Sequence, residues 1–245
     1  MRAMILAAGF GTRLRPLTKT VPKALVPVAG RPLIEYGLLL LKAHGITEVI
    51  INLHHLGDKI RAALGDGSIY GLHISYAPED PILETGGGIK NAQTFLAGET
   101  FVVLNSDTIV DLDLGALRAF HLQNRATATL VLRPDPEAAR YGILETDMNG
   151  QIRRFLGQPA RVNDPLSPYM FTGLQMLEPR VFDFMPEVKP FSTTRETYPR
   201  MLHAGEPLYG FIHPGVWMVV DDAAGMAQAT QAIVSGQVRL SYLRP

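Results

Sequence analysis

The sequence predicts an α/β protein: a mostly parallel sheet with helices on both faces and a small β-rich subregion. Two observations carry this. Through the first half, short apolar strand patterns alternate with helical patterns, as parallel strands with crossover helices require. In the second half, strand runs follow one another with a turn signal between them instead of a helix.

The elements follow in order. Residues 3–7 read as a strand. Residues 33–43 are apolar on most sides, so they form a buried helix that closes near Gly45. A strand at 48–53, a helix at 56–64 and a strand at 72–77 come next, then a helix at 88–96 and an apolar strand at 100–104. The helix at 114–123 has Asp113 placed to cap it, and a strand follows at 127–133. Runs 142–146 and 151–155 are strands joined through Asn149-Gly150, a strong hairpin signal. Further strands are expected at 170–177, 207–212 and 216–220, and helices at 195–203 and 223–235. The stretch 159–168 holds three prolines and little periodicity, so it reads as a loop. No internal repeat or linker composition interrupts the chain. A single domain over 1–245 is expected, with parts at about 1–135 and 136–220 and a closing helix at about 222–236.

Lysine plus arginine and aspartate plus glutamate both number 23. With no net charge, no global field draws the chain to nucleic acid or to a membrane, and any basic character is local. There are no cysteines, which excludes disulfides, thiolate metal sites and thiol catalysis and fits a reducing compartment. The apolar run after Met1-Arg2 is too short for a secretory signal, and 38–41 is far too short to span a bilayer. The expectation is a soluble cytoplasmic protein with no nucleic-acid or membrane partner.

The chemistry concentrates where strands end, because open parallel sheets bind ligands at the carboxyl ends of their strands. The first strand runs into Ala7-Ala8-Gly9-Phe10-Gly11-Thr12-Arg13, with Arg15 and Lys23 close behind. Glycines let a ligand approach the backbone, exposed N–H groups cradle phosphate oxygens, and arginine and lysine add matching charge. The spacing fits neither the dinucleotide fingerprint, since Leu14 stands where its third glycine belongs, nor a Walker A loop, since Gly11-Thr12-Arg13 lacks Gly-Lys-Ser/Thr. An ordinary strand-to-helix turn would explain the glycines but not the cations. A second signal is Asn105-Ser106-Asp107 after the apolar run 101–104. An aspartate there can hold a hard cation beside phosphates, or be a turn or cap residue.

The run Leu6-Ala7-Ala8-Gly9-Phe10-Gly11-Thr12-Arg13-Leu14-Arg15-Pro16-Leu17-Thr18, with Val21-Pro22-Lys23-Ala24-Leu25-Val26-Pro27, resembles the signature of sugar-1-phosphate nucleotidylyltransferases. Glu79, Leu83-Glu84-Thr85-Gly86-Gly87-Gly88-Ile89 and Phe171-Thr172-Gly173 are most similar to N-acetylmuramate-1-phosphate uridylyltransferases, with mannose-1-phosphate guanylyltransferases close relatives. The resemblance implies a Rossmann-like fold with a β-rich sugar-binding part. It implies transfer of a nucleotidyl group from UTP or another nucleoside triphosphate to a sugar 1-phosphate, with Mg²⁺ as cofactor. A non-catalytic nucleotide sensor is the alternative of another class.

By the same resemblance Arg13 and Lys23 are catalytic. Leu6, Ala7, Ala8, Gly9, Gly11, Thr12, Arg13, Glu79, Thr85, Gly86 and Gly87 contact the nucleotide. Asn105, Gly142 and Thr172 face the sugar, and Asp107 binds the metal. The family's second metal aspartate falls two residues after a tryptophan, at Val219, which cannot ligate. Strand side chains alternate, so Asp221 faces the side that residue 219 would and is expected to replace the ligand. In the contrary case Asp222 caps the last helix and Asp221 is solvated. Gly157-Gln158-Pro159 stands where the family has Glu-Lys-Pro, and Ser106 where glycine is frequent. The adjacent His54 and His55 diverge on a strand end and are not expected to share a metal.

Overall fold

The computed structural model describes residues 1–136, 138, 143–158 and 165–243. In chain order its strands are β1 (Arg2–Leu6), β2 (Pro27–Val28), β3 (Arg31–Pro32), β4 (Glu48–Leu53), β5 (His73–Pro78), β6 (Phe101–Asn105), β7 (Thr108–Val110), β8 (Ala128–Arg133), β9 (Ile143–Thr146), β10 (Ile152–Phe155), β11 (Ser167–Leu177), β12 (Leu208–Ile212) and β13 (Trp217–Val219). The α-helices are α1 (Leu33–Ala43), α2 (Gly57–Leu64), α3 (Glu84–Asn91), α4 (Gln93–Leu96), α5 (Leu114–Gln123), α6 (Tyr198–His203) and α7 (Ala223–Val234). The α/β class expected from the sequence is the class observed.

The chain divides into two compact units. The first comprises Met1–Ile82, Leu104–Leu112 and Gly215–Pro245; the second comprises Leu83–Val103 and Asp113–Pro214. In the first unit, β1, β4 and β5 form a parallel ladder, with Leu6 opposite Asn52 and Asn52 opposite Ala77. Strand β4 is buried along Val49–Leu53, which is why it reads as an apolar run broken only by Asn52. Helix α1 follows its predicted bounds and ends where Gly45 donates to Lys42 O. A core of Val28, Leu33, Tyr36, Ile109, Val220, Ala229 and Leu240 joins all three chain segments of this unit.

In the second unit β12 runs parallel to β8, while β11 is antiparallel to β8, β9 and the start of β6. The hairpin read from Asn149-Gly150 joins β9 and β10, antiparallel as expected. Asp113 caps α5, accepting from the Gly115 and Ala116 N–H groups.

Three expectations need correction. The loop placed at 159–168 ends sooner: residues 159–164 lie outside those described, and Ser167 and Pro168 already pair with Thr146 and Glu145 in β11. The single helix at 88–96 is two helices, starting earlier at Glu84 and broken at Ala92. The helix at 195–203 begins as a wide turn at Thr193–Thr197, and regular α geometry starts at Tyr198, with Pro199 in the first turn. Gly142 lies outside the described residues.

Candidate active site

The site is built at the carboxyl end of β1. Its chain turns at Gly11, where φ is +60°, and Thr12–Leu14 make one tight helical turn. A Cβ at Gly11 would stand 2.9 Å from Thr18 Cγ2 and 3.0 Å from Lys23 Cβ. Glycine is therefore needed both for the left-handed turn and for the close approach that brings Lys23 under the loop. The Thr18 hydroxyl donates to Gly11 O at 2.7 Å, His55 Nε2 lies 2.9 Å from Thr18 O, and Lys59 donates to Thr20 O, so the returning segment is pinned. Gly9 is exposed, and a Cβ there would meet nothing within 4 Å among the described residues.

Four charged groups converge below this loop. Lys23 Nζ lies 2.7 Å from Asp107 Oδ2 and 2.5 Å from Asp221 Oδ1. Arg13 closes the other oxygen of Asp221 at 2.7 Å. Burial raises the Asp221 pKa, but the Lys23 hydrogen bond and the charges of Lys23 and Arg13 outweigh it, so the group titrates below its ordinary value. Asp107 Oδ1 is buried with no hydrogen-bond partner among the described residues. The carboxylates are brought together by main chain: Thr108 of β7 pairs with Val219 of β13, and the Val220 N–H donates to Asp107 O at 2.9 Å.

Strand alternation is not what delivers Asp221. Strand β13 ends at Val219, and Asp221 lies in the bend that follows. Asp222 caps α7 through the Gly225 N–H, while the Asp221 side chain is 14% exposed and ion-paired, so the cap is present without Asp221 being solvated.

Sequence reasoning missed Asn52. At the end of β4 this 2%-exposed side chain accepts from the Ala7 N–H at 2.7 Å and donates to Glu79 Oε1 at 2.7 Å. It ties the start of the glycine loop to the 5%-exposed Glu79. The signal was present: one amide side chain in the apolar run Val49-Ile50-Ile51-Asn52-Leu53. The Leu6 carbonyl accepts from Ser106 N–H, which holds the chain leading into Asp107 beside β1. Ala8 is buried, Thr12 is exposed and Asn105 is half-buried at the end of β6. His54 and His55 bond to different carbonyls, Glu79 O and Thr18 O, and both contact the half-exposed ring of Phe10.

In the second unit the predicted residues are engaged with protein. The N–H groups of Gly86 and Gly87 both donate to Phe191 O, and a Cβ at Gly86 would stand 2.2 Å from the Phe191 ring. Thr85 Oγ1 accepts from the Thr193 N–H. Thr172 is 2% exposed and its hydroxyl donates to Val131 O. Sequence reasoning anticipated none of these internal partners.

Among the described residues there is no group of three or more His, Cys, Asp or Glu that could hold a metal. The paired aspartates still suit a hard cation that takes its other ligands from phosphate and water, and the orphaned Asp107 oxygen fits one. No helix among the described residues is long and apolar enough to cross a membrane.

The parallel strands, the glycine turn and the charged cluster at the strand ends define an α/β protein with paired acids and bases beside a glycine turn. Residues 2–235 match the nucleotidyl transferase family, and the chain belongs to it. It is 33% identical over 252 residues to the UTP–glucose-1-phosphate uridylyltransferase of Synechocystis sp., covering 98% of this chain but 65% of that protein. It is 42% identical over 186 residues to the N-acetylmuramate alpha-1-phosphate uridylyltransferase of Neisseria meningitidis, covering 75% of this chain and 78% of that protein. In fold it is similar to HddC from Yersinia pseudotuberculosis, whose crystal structure was determined in complex with GMP-PN. The TM-score is 0.78 at 22% identity, with 95% and 99% of the two chains covered.

Proposed function

We propose that the chain transfers a nucleotidyl group from UTP to a sugar 1-phosphate, N-acetylmuramate 1-phosphate, releasing pyrophosphate. The observation that carries this reading is the convergence of Arg13, Lys23, Asp107 and Asp221 beneath a glycine turn at a strand end. Family membership supports the reaction class. The identity with the Neisseria meningitidis protein supports the choice of base and sugar.

An oxygen of the sugar phosphate attacks the α-phosphorus. The bond from that phosphorus to the bridging oxygen breaks, and pyrophosphate leaves with the electron pair. The nucleophile is already an anion, so no side chain need remove a proton. Catalysis then rests on alignment and on charge placed where it develops. Arg13 is 60% exposed on its side chain and paired with Asp221, and a triphosphate offers its planar fork a second anionic partner, which suits a group that grips the departing pyrophosphate. Lys23 supplies a compact charge between the two reacting phosphates. Asp107 and Asp221 would hold Mg²⁺, which when bound neutralises phosphate charge. Glu79, held by Asn52, accepts an N–H from the base.

The test is a panel of nucleoside triphosphates crossed with sugar 1-phosphates, with Mg²⁺ and inorganic pyrophosphatase, scored by phosphate release. UTP with N-acetylmuramate 1-phosphate is expected to give the highest rate. Loss of one transition-state contact is worth about 3 kcal/mol, so Lys23→Ala is expected to lower turnover about a hundredfold. Phosphate release from no pair, or an undiminished Lys23→Ala, would overturn the reading.

A further inference from the structure

The four charged side chains cancel one another, two acids against two bases, and the ammonium of Lys23 lies between both carboxylates. One oxygen of that group, Asp107 Oδ1, is buried and has no hydrogen-bond partner among the described residues, which suits it to a further cation.

We propose that Lys23 is an internal place-holder for the divalent cation: its ammonium bridges Asp107 and Asp221 until a triphosphate draws it away, so that cation and nucleotide load together. This rests on the nucleotidyl-transfer reading above. An ammonium and a divalent cation cannot both contact the same two carboxylates without close like-charge repulsion. A cation arriving alone would leave two surplus positive charges among these side chains. A triphosphate reverses this, because its oxygens offer Lys23 and Arg13 new anionic partners. Each ligand then strengthens the other's binding, and the coupling is reciprocal. Lysine suits the part, since a point charge on a four-carbon stem moves between acceptors more freely than a planar fork.

The test is Mn²⁺ titration followed by electron paramagnetic resonance, without nucleotide and then with a UTP analogue carrying a methylene between the α and β phosphorus atoms. Wild type is expected to bind Mn²⁺ weakly alone and more tightly with the analogue. Lys23→Met keeps the length and removes the charge. It is expected to bind Mn²⁺ alone on the order of tenfold more tightly than wild type or better, and to gain less from the analogue than wild type does, since only the phosphate ligands are then added. Lys23→Gln serves the same comparison should Lys23→Met not fold, and Lys23→Arg is expected to remain as weak as wild type.

Neutral variants that fold cooperatively yet bind Mn²⁺ no more tightly than wild type would overturn the proposal. So would a wild type whose Mn²⁺ affinity ignores the analogue. The two readings fail separately. A wild type that turns over while the neutral variants do not tighten sinks the place-holder alone. A wild type inert with every substrate pair sinks the transfer reaction and leaves the Mn²⁺ comparison standing.

Discussion

A side chain at position 11 would have to enter space that Thr18 and Lys23 already hold, on a backbone at φ +60°. Gly11→Ala is expected to cost on the order of 1–2 kcal/mol from the left-handed conformation, with the crowding added. A drop in urea midpoint at unchanged m-value would show it. Asn52 offers a second case. Asn52→Leu leaves the buried Ala7 N–H without its acceptor, a loss of about 1–3 kcal/mol. Because it also releases Glu79, the expected kinetic signature is a raised KM for UTP; an unchanged KM would reduce Asn52 to a purely structural part. At this scale the sequence disclosed the charged residues but not their partners. Arg13, Lys23 and Asp107 are legible because charge next to an apolar strand end is conspicuous, whereas Asp221 was reached through the family resemblance and a strand alternation that is not what delivers it. That Lys23 would bridge both acids is not legible, since it depends on segments 84 and 198 positions away.

Elements with a strong local pattern were legible, and those made by distant pairing were not. Helix α1 and strand β4 could be bounded from sequence because burial on most sides leaves a predominantly apolar run. Strand β13 falls within the run expected at 216–220, but β7 is three residues long, too short for a period to show, and their pairing, which brings the two aspartates together, is not legible. Helix α5 gives a pH prediction. Its His121 is 1% exposed, with Nδ1 2.7 Å from Thr129 Oγ1 and Nε2 3.0 Å from Glu178 Oε1, an oxygen that also accepts from Thr100. Burial holds its pKa below the ordinary 6.5, and Glu178 restores only part of the loss. The folded chain thus binds the proton less tightly than the unfolded one. The stability this residue contributes is present above pH 6.5 and declines as pH falls toward the lowered folded value. The urea midpoint is expected to fall between about pH 7.5 and about pH 5.5, and His121→Gln to flatten that slope. Equal slopes in both proteins would rule out His121 as the source.

Across the whole molecule, the first unit is assembled from three separated stretches of chain, with the second unit supplied by the stretches between them. Such organisation leaves no mark in composition, because it comes from long-range packing and not from a linker. Its cost under truncation can be stated. Val220, Ala229 and Leu240 pack against Val28, Leu33, Tyr36 and Ile109. A protein ending at Pro214 would expose that core, and it is expected to bind a hydrophobic dye and lose its near-ultraviolet circular dichroism; a native-like spectrum would contradict this. The same carboxyl-terminal stretch carries Trp217, the sole tryptophan of the chain. It is half-buried on β13 opposite Val110, four residues before Asp221 and one strand away from Asp107. The protein therefore carries its own fluorophore on the strand that leads to Asp221, and ligand binding at the charged quartet is expected to change indole emission in unlabelled material.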